Sequence, residues 1–202
     1  MPKFNKMYFP VDAIKKHEDF DVWYSDGELA LRFEGPWEKE SDRIALIGRM
    51  GGQIGQIRPD NKALHYYLRH DRFEYEFQTR VIKEHYYVEG MLWNIAGTVS
   101  KPPLDFYNVK KEKNEVHVRV TDFKNHGSCF EVTARDISTL RIAVETVVAM
   151  CIKEEYKGLS DPDEDERGGK KRGTFGKFFD FIQPKGVPYD ALYDEEGKPR
   201  DK

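Results

Sequence analysis

Along this chain, apolar residues fall in short runs rich in Val, Ile, Phe, Tyr and Trp, and the runs come in pairs that straddle turn signals. The first clear pair is Phe20 to Tyr24, then Ser25-Asp26-Gly27, then Glu28 to Phe33. Leu29, Leu31 and Phe33 alternate with Ala30 and Arg32, the period-2 pattern of a half-buried strand. Asp-Gly between two β-prone runs predicts a two-residue hairpin turn with positive φ at both central positions. The pattern returns at Arg43 to Ile47, turning through Gly51-Gly52 into Ile54 to Ile57. It returns again at Leu64 to Leu68, turning near His70-Asp71 into Phe73 to Phe77. A fourth unit runs from Tyr86-Tyr87-Val88 through Glu89-Gly90 to Trp93, Ile95 and Val99. A fifth runs from Phe106 to Val109, across Lys113-Asn114, into Val116, Val118 and Val120. Phe130 to Thr133 follows the turn signal Asn125-His126-Gly127, and Tyr8 to Ile14 adds a run near the N-terminus.

Together these runs predict about eleven or twelve short strands. A meander that long exposes unpaired edges unless it closes, so a closed antiparallel barrel is the expected solution. A barrel of about twelve strands is too wide for its own inward side chains to fill. The filler is expected at residues 137–153. Asp136 reads as an N-cap, and no Gly or Pro interrupts the chain from Ile137 to Ile152. Ile137, Leu140, Val144, Val147, Val148 and Cys151 make one stripe, which Ala143, Ala149, Met150 and Ile152 widen around most of the cylinder. A helix apolar nearly all round is either a membrane span or is surrounded by protein. Arg141, Glu145 and the short length oppose the span. The expected fold class is therefore mostly β, a closed antiparallel barrel of about twelve strands around a central hydrophobic C-terminal helix.

With that order of elements, the sequence resembles the tubby C-terminal-like superfamily, whose members include tubby domains, LURP-one-related proteins, phospholipid scramblases and small bacterial relatives. The resemblance covers roughly residues 8–156. It rests on Tyr86-Tyr87-Val88-Glu89-Gly90, on Phe106-Tyr107-Asn108-Val109 and on Glu115-Val116-His117-Val118-Arg119. It ends with the segment Phe130 to Asp136, followed at once by the apolar helix, in the manner of the bacterial and LURP-one-related branch. Two features depart from the pattern. The helix ends Ala149-Met150-Cys151-Ile152-Lys153 where relatives often carry an acidic residue, and a charged tail follows. The resemblance implies a twelve-stranded barrel around a central helix and, for some members, association with phosphoinositide or membrane lipid. Lipid-binding members hold phosphate head groups with paired Lys and Arg on the barrel wall. The corresponding candidates here are Lys110, Lys111, Lys113 and Arg119, with a solvated hairpin turn as the plainer reading of the lysines.

Composition narrows the picture. The 202 residues suit one domain plus a tail, and 13% aromatic residues argue against general disorder although 34% are charged. A formal net charge of −3 gives no global pull toward nucleic acid or anionic membrane, so any basic site is local. Trp23, Trp37 and Trp93 are better explained by core packing than by base stacking, because no basic footprint accompanies them. Cys129 and Cys151, the two cysteines, form no Cys-x-x-Cys pair, and Cys151 falls on the apolar helix as a small core residue. The N-terminal residues lack the apolar stretch of a signal peptide, so a cytoplasmic protein, peripheral at a membrane if it meets one, is expected.

No residue set reads as catalytic machinery. Gly48, Gly51, Gly52 and Gly55 have neither P-loop nor dinucleotide spacing and fit a glycine-rich hairpin turn. His65, His70, His85, His117 and His126, with Asp71 and Cys129, are the possible metal or acid–base groups. His126 and Cys129 sit three apart, but no second ligand pair has zinc-site spacing. No Gly-x-Ser-x-Gly elbow is present. Neither metal nor cofactor is expected.

After Gly158 the composition changes. The acidic run Asp161 to Glu166 and the basic run Lys170-Lys171-Arg172, set among glycines, predict a linker over 158–173. Phe175, Phe178, Phe179, Phe181 and Ile182 then form an apolar segment, 174–182, within the tail 174–202. That segment either caps a barrel mouth, folds on a protein partner or dips into an anionic membrane beside Lys170, Lys171, Arg172 and Lys177. The expected function is a non-catalytic binding or scaffold protein that associates with phospholipid or phosphoinositide head groups. The alternatives are a small-ligand carrier or enzyme with its site at the barrel mouth, and an interaction module acting through the tail.

Overall fold

The computed structural model describes residues 4–38, 43–59, 65–70, 73–80 and 85–156, with the backbone alone along 65–70 and 73–80 and at a few flanking positions. Within them the strands are β1 (Asn5–Pro10), β2 (Phe20–Tyr24), β3 (Leu29–Glu34), β4 (Ile44–Gly48), β5 (Gln53–Pro59) and β6 (His65–His70). Then come β7 (Phe73–Arg80), β8 (His85–Val88), β9 (Trp93–Ala96), β10 (Leu104–Asn108), β11 (Lys113–Asp122) and β12 (Ser128–Ala134), followed by the helix α1 (Ile137–Tyr156). The fold is thus mostly antiparallel β with one C-terminal helix, as the hydrophobic pattern predicts. The linker 158–173 and the tail with Phe175, Phe178, Phe179, Phe181 and Ile182 lie outside the described residues.

From β2 to β12 each strand pairs antiparallel with the next. The first strand lies between the last and the second. It pairs with β12 from Asn5↔Ala134 to Pro10↔Cys129, and with β2 at Met7↔Tyr24 and Tyr8↔Trp23. Successive strands run in opposite directions, so the β2–β3, β4–β5, β8–β9 and β10–β11 turns share one end of the sheet with the start of α1.

Asp136 caps α1. Its Oδ1 accepts the Thr139 N–H at 2.7 Å, and its Oδ2 accepts the Thr139 hydroxyl at 2.7 Å. From Ile142 to Ile152 every helical residue is buried, so the helix is enclosed on all sides rather than on one stripe. It lies against β1, β11 and β12 and also against β6, a strand far from them in the order. Inward-facing Met7, Phe9, Phe33, Leu46, Trp93, Phe106 and Val132 surround it with side chains that are fully buried or nearly so. Each such burial contributes about 1.5–3 kcal/mol. Thr146 is tolerated in this core because its hydroxyl donates to the Ile142 carbonyl at 2.8 Å.

Several local expectations are corrected. The Ser25–Gly27 turn is a three-residue loop: Tyr24 N–H donates to Glu28 O and Gly27 N–H to Tyr24 O, each at 2.9 Å. Only Gly27 takes positive φ, +94°, and the register slips between Val22 and Trp23, as a bulged hairpin allows. The same device closes β4–β5, where Gly48 N–H meets Gly52 O at 2.8 Å and Gly51 has φ +79°. The N-terminal run starts earlier than its apolar residues suggest and ends at Pro10, which has no N–H to continue a ladder. A short 3-10 turn at Ile14–Lys16 follows. Val99 falls in a turn beyond β9. The β10–β11 turn occupies 109–112, so that Lys113-Asn114 already belongs to β11 and Asn114 is buried. The helix runs to Tyr156, past the expected end at 153.

Candidate functional site

The β10–β11 hairpin carries three of the four cations expected to hold a ligand. Asn108 organises it from below. Its Oδ1 accepts the N–H groups of Lys110 at 3.1 Å and Lys111 at 2.9 Å. Its Nδ2 donates to Met91 O and to Glu115 Oε2, both at 3.0 Å. An Asn side chain standing in for backbone turn bonds fixes the loop locally, and Glu112, with φ +51°, completes the reversal. The Val109 N–H donates to Leu92 O at 3.0 Å, which ties the turn to the neighbouring β8–β9 connection.

Glu115 is the second anchor. Its Oε2 accepts the Trp93 indole N–H at 2.9 Å, and its Oε1 takes Lys111 Nζ at 2.6 Å. Burial works to raise its pKa, yet the hydrogen bonds from Lys111, Trp93 and Asn108 prevail and hold it below the ordinary carboxylate value. Lys111 is therefore committed to Glu115. Among the described residues no carboxylate pairs with Lys110 or Lys113, and Lys110 is exposed beside exposed Tyr107 and Val109.

Arg119 belongs to a different place. Six residues along an extended strand separate it from Lys113, about 20 Å. Its Nε donates at 2.8 Å to Oε1 of Glu131, directly opposite in the β11–β12 register. Glu131 also takes Lys6 Nζ at 3.2 Å and the Tyr8 hydroxyl at 2.8 Å. Burial pushes the Glu131 pKa up, and the Arg119, Tyr8 and Lys6 contacts outweigh it, so the group titrates below the ordinary carboxylate value. The Tyr8 phenol is pushed up, first by burial and then by its bond to Glu131. The four expected ligand-binding cations thus divide between a hairpin tip and a neutralised cluster on the wall.

An aromatic layer lies over the wall next to that cluster. Phe123 stacks on Tyr8 with centroids 3.9 Å apart, and His126 stacks on Trp23 at 3.8 Å. Lys124 Nζ, over the Phe123 ring, also reaches the Asp26 carbonyl. His126 is thus a stacking group. Cys129 lies buried beneath, its thiol pushed up to about 11 by burial and then by Asp12 and Asp122. No group of three His, Cys, Asp or Glu able to hold a metal occurs among the described residues. His117 is buried and its Nδ1 lies 2.8 Å from Asp105 Oδ1, opposite it in the β10–β11 register. The side chains of His65, His70 and His85 are outside the described residues. Sequence reasoning missed the Asn108–Glu115 scaffold and the Glu131 cluster, although Asn before a lysine-rich turn is a usable signal for the first.

A shallow groove of about 210 Å³ lies beside β2, lined by Asp12, Lys16, Asp19, Asp21, Trp23 and Arg32 among others. Its charges are largely satisfied within it: Arg32 meets Asp21 at 3.2 Å and Asp19 at 4.0 Å, and Asp19 accepts the Trp37 indole at 2.9 Å.

No family model matches the chain, and no curated protein matches it. Among solved structures, the chain is similar in fold to a protein from Arabidopsis thaliana, locus AT5G01750, known from an X-ray structure. The TM-score is 0.52 at 13% identity, over 73% of this chain and 90% of that one. At that identity the likeness shows the fold alone.

Proposed function

We propose that this chain is a non-catalytic binding protein that associates with anionic phospholipid head groups through its outer surface. Its strands form a tubby-like barrel closed at the β1–β2 seam around α1. Support for closure comes from β1 lying between β12 and β2 and from α1 touching β6 as well as β1, β11 and β12. A core filled by the helix leaves the exterior and the rims for ligands.

The observation that carries the lipid reading is the β10–β11 tip. Lys110 and Lys113 stand there without carboxylate partners among the described residues, on a turn pinned by Asn108 and Glu115, beside exposed Tyr107 and Val109. Lysine and an aromatic ring at one rigid tip suit the boundary between head groups and acyl chains. Arg119 is not part of that contact, because Glu131 holds it on the wall.

Co-sedimentation of the full chain with phosphatidylcholine vesicles, with and without phosphatidylserine or phosphoinositide, tests this reading. Binding to anionic vesicles only, weakened by salt and by Lys110→Glu with Lys113→Glu, is expected. Equal binding to neutral vesicles, or none to anionic ones, overturns it.

A further inference from the structure

Beyond Asp122↔Ser128, the last pair of the β11–β12 ladder, residues 123–127 fold back over the outer face of β1 and β2. Met7, Phe9 and Val22 belong to the core around α1, whereas Tyr8 and Trp23 alternate with them onto the opposite face. The loop covers those two rings, Phe123 on Tyr8 and His126 on Trp23, while Lys124 reaches the Asp26 carbonyl in the β2–β3 turn. Tyr8, Phe123 and Cys129 thereby form a small buried cluster of their own, with Trp23 packed against it. Cys129 has no exposed surface there.

The loop lies across the shortest ladder between neighbouring strands. β1 is paired with β12 along its whole length, Asn5 to Pro10, but with β2 only at Met7↔Tyr24 and Tyr8↔Trp23. Beyond Tyr8 the two strands lose their pairing, and the groove beside β2 takes Pro10 from one and Phe20 from the other. The loop closes its own backbone hydrogen bonds: Phe123 N–H donates to Gly127 O and His126 N–H to Phe123 O, each at 2.9 Å. Those bonds survive when it lifts, and what is given up is two stacked rings and one lysine contact. Lys124 makes that contact at φ +46°, a left-handed conformation that costs a non-glycine residue free energy. A short ladder, spanned by a loop that keeps its own hydrogen bonds, favours local opening over global unfolding.

We propose that residues 123–127 are a releasable strap that holds the β1–β2 joint shut, and that its lifting uncovers Tyr8, Trp23 and the Cys129 thiol while α1 and the core around it stay folded. This device is independent of the lipid reading and needs only the β1–β2 pairing. Cys129 reports the opening, and Cys151, enclosed on α1, reports global unfolding. The full chain is treated with iodoacetamide without denaturant, and alkylation of each cysteine is followed by mass spectrometry. Cys129 is expected to react at least about tenfold faster than Cys151, because strap opening is the smaller event. His126→Ala and Lys124→Met leave Tyr8, Phe123 and Cys129 unaltered. Each raises the Cys129 rate roughly three- to tenfold, by loss of a ring stack or of the lysine contact, and leaves Cys151 unchanged. The same variants speed amide exchange in a peptide covering 20–24 and leave one covering 44–48 as before. Equal rates at Cys129 and Cys151 in the unaltered chain, or variants that speed both cysteines alike, overturn the strap and make the loop a fixed part of the wall. Faster Cys129 alkylation with exchange at 20–24 unmoved overturns its hold on the β1–β2 joint.

Discussion

Arg119 and Glu131 face each other across the β11–β12 ladder, the guanidinium Nε donating to the carboxylate at 2.8 Å. That pairing takes the arginine out of the candidate head-group site and makes it part of the wall. Glu131 is buried, so its partners matter energetically more than those of a surface pair. Glu131→Gln removes the charge that Arg119 and Lys6 share and should cost about 1–3 kcal/mol, read as a lower urea midpoint with unchanged slope. Vesicle binding should be retained, because the β10–β11 tip is untouched.

The same pairs set the acid limb of stability. Glu115 and Glu131 both titrate below the ordinary value of 4.5 in the folded chain. Their contribution is therefore present above that value and is lost as pH falls through the lower folded values. Urea midpoints should decline across that window, and the decline should be shallower in Glu131→Gln.

At the alkaline limb the sign reverses. The Tyr8 phenol is raised above its ordinary 10.0, first by burial, so its contribution is complete below that value and is lost as pH rises beyond it. Tyr8→Phe should flatten the alkaline fall in stability, measured by the same midpoints.

Val147 is fully enclosed in α1. Val147→Asp places an unpaired carboxylate where neither water nor a cation reaches it, a cost comparable with a whole domain's stability of about 5–15 kcal/mol. Loss of soluble folded protein is expected in a circular-dichroism melt. A cooperative, near-normal transition would contradict the enclosed helix.

The two glycines of the β4–β5 turn differ in a way that separates strain from crowding. Neither Gly51 nor Gly52 has an atom within 4 Å of an added Cβ, but only Gly51 has positive φ. Gly51→Ala should cost about 1–2 kcal/mol and Gly52→Ala close to nothing, by equilibrium unfolding.

What the sequence made legible follows from range. Phe20–Tyr24 and the capped helix at Asp136 are local patterns, and both stand where period and N-cap chemistry put them. At Ser25–Gly27, Asp-Gly fits two hairpin geometries, and the choice between them depends on where the bulge falls in the ladder. Asn114 marks Lys113-Asn114 as a turn by its residue type, yet Asn108 does that work. Arg119–Glu131, His117–Asp105 and Trp93–Glu115 depend on strand register and tertiary approach, which no local window contains. The grouping of exposed Tyr107 and Val109 beside Lys110 likewise depends on where the β10–β11 turn falls, which strand register sets.

The most direct measurement is amide hydrogen exchange of the full chain with and without phosphatidylcholine–phosphatidylserine vesicles. Vesicles should slow exchange in peptides covering 107–113 and leave the β11–β12 loop near His126 unchanged. Slowing confined to 174–182, or to the Glu131 wall, would contradict it and move the contact elsewhere on the chain.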